Sequence, residues 1–170
     1  GIGAALAETM VADGGRVVIV DINKDAAEAQ AAKLGDAARA IACNVADVAG
    51  VEAMAGDAWN WLGGVDLVFA NAGISVARPL MKASEAEFDV TMGVNLKGVW
   101  STAKAFAARM IEADHAGHLC LTASEHALGL QHPGNGFYTA SKHGVLALGD
   151  VFRAELPESI GVSVLCPGLT

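Results

Sequence analysis

Tyr138 and Lys142 stand four residues apart in Tyr138-Thr139-Ala140-Ser141-Lys142. On a helix that spacing puts both side chains on one face. A free phenol titrates at about 10 and is a poor base at neutral pH. A neighbouring cation favours the phenolate and lowers that value. A drop of about 3 units takes about 4 kcal/mol, and a lysine ammonium in a partly dry site can supply much of it. The pair therefore suits proton transfer at a hydroxyl or carbonyl oxygen. An ordinary surface pair has the same spacing, so the reading depends on the residues that accompany it.

Gly1-Ile2-Gly3 precedes a helical run. Glycines there let a phosphate approach backbone amides and the positive end of a helix; a plain turn uses them equally well. Asp21 closes a short apolar run downstream. A carboxylate at a strand end can accept hydrogen bonds from both hydroxyls of a ribose. It would repel a 2′-phosphate, and neutral Ile22 adds no phosphate clamp. The combination argues for NAD over NADP, with a helix cap as the alternative role for Asp21. Asn44 and Val45 could offer an amide and an apolar wall to adenine, or simply form a turn. In Asn71-Ala72-Gly73 the residues are small enough for a flat ligand to pass the backbone closely, unless Gly73 serves only a loop angle.

The elements that must hold these residues alternate. Apolar, β-branched runs at 17–20, 38–42, 67–70, 118–122 and 162–165 read as strands covered on both faces. Helical patterns fill 4–12, 26–34, 51–61, 84–111 and 137–156. Asp13-Gly14-Gly15 stops the first helix, and Ser84 with Glu87 reads as a capping box opening the fourth. That fourth helix is expected to run unbroken, with Asn95 and Gly98 inside it. Alternation of this kind predicts an α/β fold, a parallel sheet with helices on both faces. Asp21, Asn44, Asn71 to Gly73, Ser124, Pro167 and Gly168 all fall at strand C-terminal ends. In an open α/β sheet that edge is where ligands bind. No repeat, linker or low-complexity tract divides residues 1–170, so a single domain is expected.

The 170 residues are 53% hydrophobic and 18% charged, with a formal charge of −8. An acidic chain without a basic stripe argues against a nucleic-acid partner. No apolar run approaches the roughly 20 residues that cross a bilayer, so no membrane partner is expected. Cys43, Cys120 and Cys166 are odd in number and far apart, and read as reduced core thiols in a reducing, cytoplasmic setting. The five histidines lack metal-ligand spacing. His115 and His118 are expected in a loop before a strand, and no metal is expected.

Taken together, these residues resemble the short-chain dehydrogenase/reductase family along essentially the whole chain. Gly1-Ile2-Gly3 resembles the end of its Thr-Gly-x-x-x-Gly-x-Gly fingerprint, Asp21 the acidic residue of its NAD-preferring members, and Asn44-Val45 its Asp-Val adenine site. Ala70-Asn71-Ala72-Gly73 is similar to its Asn-Asn-Ala-Gly motif, Asn95 to its active-site Asn, and Pro167-Gly168 to the motif beside the nicotinamide. Ser124, Tyr138 and Lys142 match its catalytic Ser and Tyr-x-x-x-Lys, although Ser124 lies one residue further from Tyr138 than is usual. The family's first strand, first fingerprint Gly and C-terminal substrate-covering segment are missing, so part of a longer polypeptide is expected.

The resemblance implies a doubly wound, Rossmann-like sheet and an NAD(H)-dependent exchange of secondary alcohol and ketone. Tyr138 would move the proton. Lys142 would lower the pKa of Tyr138 and bind the nicotinamide ribose, and Ser124 would steady the substrate oxygen. Asn95 would shape its helix for a water relay to Lys142. An NADP(H)-dependent carbonyl reductase, or a nucleotide-binding subunit without turnover, is the alternative. The family associates through its two long helices, which implies a homodimer or homotetramer. Glu125, His126, Gln131 and His132 lie between Ser124 and Tyr138. They hint at a polar group on a small-molecule substrate, and a solvated loop is the plainer reading. Met81, Met92 and Trp100 read as core or interface residues.

Overall fold

The computed structural model describes residues 1–129 and 132–168. Parallel strands alternate with helices as the sequence predicts: α1 (Ile2–Ala12), β1 (Val17–Asp21), α2 (Lys24–Leu34), β2 (Ala38–Ala42), α3 (Val48–Leu62) and β3 (Leu67–Ala70). Then come α4 (Glu85–Met92), α5 (Gly98–Glu112), β4 (Gly117–Thr122), α6 (Gly136–Glu155) and β5 (Ile160–Leu165). The fold is Rossmann-like, with helices on both faces. Its strands form two hydrogen-bonded pieces, β1-β2 and β3-β4-β5. Within each piece all pairing is parallel, with Asp21 opposite Ala42 and Leu121 opposite Val164. Parallel pairing carries the strand C-termini of each piece to one edge.

Local sequence explains where the helices begin and end. The Asn23 side chain accepts a hydrogen bond from the Ala26 amide at 3.1 Å and caps α2; Asp47 caps α3 through the Ala49 amide at 3.1 Å. Gly63 ends α3 at φ 78°, a left-handed angle where glycine carries no Cβ penalty. Before α4 the expected capping box is present. Ser84 Oγ accepts from the Glu87 amide, and the Glu87 carboxylate accepts from the Ser84 amide at 2.8 Å. That backbone bond, ahead of the nearby Ser84 hydroxyl and Arg78, holds the Glu87 carboxyl below its ordinary value.

The helix expected over 84–111 differs in one respect. Its middle, Gly93–Lys97, is a π-helical turn between α4 and α5. One extra residue enters the turn there and swings Asn95 inward. The other elements deviate only at their ends, as when β5 starts at Ile160. His118 lies within β4, in keeping with the strand read over 118–122, and its Nε2 is 2.8 Å from Ser163 Oγ.

The core gathers on β4, flanked by β3 and β5. Leu119, Leu121, Val51, Met110 and Val145 are fully buried. Each such side chain contributes about 1.5–3 kcal/mol of transfer free energy. Cys43 joins this core, whereas Cys120 and Cys166 are half-buried; all three are free thiols. Burial pushes the Cys43 and Cys120 thiols up from their ordinary values. Met81, expected in a core or interface, is 97% exposed. Among the described residues no helix is long and apolar enough to cross a membrane.

Candidate active site

Helix α6 presents Tyr138 and Lys142 on one face, with Lys142 Nζ 5.6 Å from the centre of the phenol ring. Lys142 is buried, and Nζ donates to the Thr122 carbonyl at the end of β4, 2.7 Å away. Burial penalises the ammonium and lowers its pKa to about 8, partly offset by Cys166. The group therefore stays largely charged at neutral pH, as a cation beside the phenol must.

Asn95 is wholly buried, and the π turn aims it at the loop after β3. Its Oδ1 accepts from the Ile74 amide and its Nδ2 donates to the Ile74 carbonyl, both at 2.8 Å. Nδ2 also reaches Ser141 Oγ at 3.1 Å, and that hydroxyl donates to the Tyr138 carbonyl at 2.7 Å. One amide thus ties the Asn71–Gly73 loop to the helix bearing Tyr138 and Lys142. A polar group this deeply buried is tolerated only when so satisfied.

Ser124 follows β4 in extended conformation (φ −169°), nearly buried, with Oγ accepting from the His126 amide at 3.3 Å. The next residue pins the end of β5, since the Glu125 amide donates to the Pro167 carbonyl at 2.8 Å. Gly168 lies beside the Glu125 carboxylate; a Cβ there would stand 3.3 Å from Oε2.

The residues assigned to a nucleotide gather along the same edge. Gly1 opens α1, its carbonyl accepting from the Ala4 and Ala5 amides, with Ile2 in the first turn. A Cβ on Gly3 would stand 3.1 Å from Asn71 Nδ2, while Asn71 Oδ1 accepts from the Thr122 hydroxyl at 3.3 Å. Ala72 and Gly73 are exposed, and a Cβ on Gly73 would lie 3.4 Å from Lys142 Nζ. These glycines leave the close backbone approach that a dinucleotide needs, so the residues present fit the cofactor. Asp21 is exposed at the end of β1, one carboxylate oxygen accepting from the Asn23 amide at 2.9 Å. Ile22 beside it is 71% exposed. Asn44 is exposed and forms a turn, its side chain accepting from the Ala46 amide at 3.0 Å. Val45 packs on α5, where a Cβ on Gly98 would stand 2.8 Å from its methyl. That close approach brings the segment after β2 up to the start of α5, just past the π turn that carries Asn95.

Sequence reasoning missed Thr122, which anchors Lys142, and Ser141, which links Asn95 to the Tyr138 carbonyl. Ser141 was visible inside the Tyr-x-x-x-Lys spacing. Thr122 holds Lys142 through its backbone carbonyl, which no motif records. The loop after Ser124 is not simply solvated: His126 and His132 are half-buried and stacked, their ring centres 3.3 Å apart. Gln131 lies outside the described residues. Among those residues no cluster of three His, Cys, Asp or Glu side chains is placed to hold a metal ion.

Comparison with known proteins gives a consistent picture. The model of the short chain dehydrogenase family matches residues 1–170. The chain is 36% identical over 159 residues to D-threitol dehydrogenase of Mycolicibacterium smegmatis, covering 91% of this chain and 60% of that one. A short chain dehydrogenase/reductase from Burkholderia phymatum in complex with NAD superposes with a TM-score of 0.95 at 32% identity, over 100% of this chain and 62% of that one. An alcohol dehydrogenase from the archaeon Thermococcus sibiricus complexed with 5-hydroxy-NADP gives 0.92 at 30% identity, over 100% and 72%. The chain thus spans about three fifths of the length of the first two.

Proposed function

The chain belongs to the short-chain dehydrogenase family, and from that premise we propose that it interconverts a secondary alcohol and a ketone with NAD(H). Tyr138 is the general acid/base. The observation that carries this reading is the buried Lys142 ammonium, anchored on the Thr122 carbonyl beneath the Tyr138 ring. NAD, when bound, supplies the hydride acceptor. In oxidation the Tyr138 phenolate takes the hydroxyl proton, and Lys142 favours that phenolate electrostatically. Ser124 donates a hydrogen bond to the substrate oxygen as its charge changes. Asn95 and Ser141 hold the face of α6 that bears both groups. Gly1, Ile2, Gly3, Asn71, Ala72, Gly73, Asn44, Val45, Pro167 and Gly168 bind the dinucleotide, with Asp21 on the adenosine ribose.

The free carboxylate oxygen of Asp21 and the neutral Ile22 favour NAD. A second reading, an NADP(H)-dependent carbonyl reductase, takes support from the 5-hydroxy-NADP held by the Thermococcus relative. One experiment tests both points. Tyr138→Phe is expected to lower turnover of secondary alcohols by at least ~10³-fold while leaving NAD binding within about 2-fold. Wild-type titration should favour NAD over NADP. A Tyr138→Phe variant that still turns over would refute the role of Tyr138, and tighter NADP binding would refute that of Asp21. The apolar groove between the π turn, α5 and α6, lined by Met92, Leu96, Trp100, Ala147, Leu148 and Val151, is the surface through which copies of the protein associate.

A further inference from the structure

The imidazole of His126 is held more firmly than a loop side chain needs to be. Its backbone amide bonds to Ser124 Oγ, and its Nδ1 lies 3.1 Å from Thr139 Oγ1, next to Tyr138. One ring face stacks on His132 at an interplanar angle of 6°. Its ring also stands perpendicular to the Tyr138 phenol, with centres 5.1 Å apart. These contacts fix the ring beside the two groups assigned to the substrate oxygen. They leave Nε2 without a hydrogen-bond partner among the described residues, and it is not sealed away: the buried orphan nitrogen in this cluster is His132 Nε2.

Ordering an imidazole at this cost in side-chain freedom, with its outer nitrogen unused, suggests a ligand partner. We propose that His126 is the second anchor of the substrate, its Nε2 hydrogen-bonding a hydroxyl on the carbon next to the reacting one, so that the substrate is a vicinal diol or polyol. The inference rests on the dehydrogenase reading above and deepens it. The charges around the ring select a hydroxyl over a carboxylate. Burial, then the neighbouring His132, push the His126 pKa below its ordinary value against the pull of Glu125. The imidazole is therefore neutral at pH 7 and is no anchor for an anion. The Glu125 carboxylate beside Gly168 disfavours an anion further, and the Lys142 ammonium donates to the Thr122 carbonyl. A neutral imidazole donates or accepts at Nε2 according to its tautomer, and the Thr139 hydroxyl can reverse with it. A hydroxyl, both donor and acceptor, matches either state.

The test uses three probes that share one reacting centre: propan-2-ol, propane-1,2-diol and lactate, oxidised by the full-length polypeptide. Wild type is expected to prefer the diol. His126→Phe keeps the stack and the edge contact but removes both nitrogens. It should lower kcat/KM for the diol by about 10–100-fold and leave propan-2-ol within about 2-fold. Thr139→Val, which frees the ring from its Nδ1 partner, should cut the diol preference in the same sense. NADH fluorescence titration checks that both variants remain folded. Equal losses on propan-2-ol and the diol, an unchanged diol preference in both variants, or a wild-type preference for lactate or propan-2-ol would each overturn the proposal. In those cases the dehydrogenase reading survives. A wild type inert toward all three, with NAD and with NADP, removes both.

Discussion

At Lys142 the proposed function and stability oppose each other at a single residue. Its pKa falls from 10.5 to about 8 because burial penalises the charged form, which corresponds to a penalty of about 3 kcal/mol at neutral pH. Folded protein holds this proton less tightly than unfolded chain. Between pH 8 and 10.5 the unfolded state therefore binds more protons, and stability from this group rises with pH. The penalty is complete below about pH 8 and gone above 10.5. Lys142→Met should raise stability at pH 7, by up to about 3 kcal/mol in urea unfolding, while abolishing turnover. That gain should shrink as pH climbs through the window; no gain at pH 7 would show that the Thr122 bond offsets the desolvation. The Tyr-x-x-x-Lys spacing was legible in the sequence because a helical period converts directly into a shared face. The Thr122 anchor was not, since it joins a backbone oxygen to a side chain 20 positions away.

Among the elements, the π turn between α4 and α5 does the most positioning. A uniform α-helix over 84–111 is what the apolar pattern reads, and periodicity does not register one residue added to a single turn. The start of that helix was readable, because Ser84 and Glu87 satisfy one another within four residues. The turn at Gly93–Lys97 is set instead by the Asn95 amide bonding both backbone groups of Ile74, 21 residues back. Asn95→Ala would strand those two groups in a dry site. The expected loss is on the order of 2–4 kcal/mol in chemical denaturation, with a lower kcat as α6 loses its brace at Ser141. A variant that keeps wild-type stability would mean that water replaces the amide fully.

At the level of the whole molecule, helix glycines make close approaches to the segments that follow two strands, Gly3 of α1 to the one after β3 and Gly98 of α5 to the one after β2. Gly3 lies against Asn71, and Gly98 against Val45. The groove between α5 and α6 exposes part of Trp100, with Lys104 Nζ 5.1 Å from its ring. If copies associate there, Trp100→Glu should shift the mass measured by light scattering from an oligomer toward the monomer. An unchanged mass would move the interface elsewhere.

The amino-acid order by itself determined the α/β alternation, the parallel pairing, the capping box at Ser84 and the edge along which Asp21, Asn71 and Ser124 fall. Each of these follows from periodicity and from contacts spanning few residues. Tertiary structure alone decided the inward swing of Asn95, the burial that depresses Lys142 and the stacking of His126 on His132. Those depend on which backbone groups and rings from distant segments come to share a dry space, and pairing of that kind leaves no periodic trace in a chain.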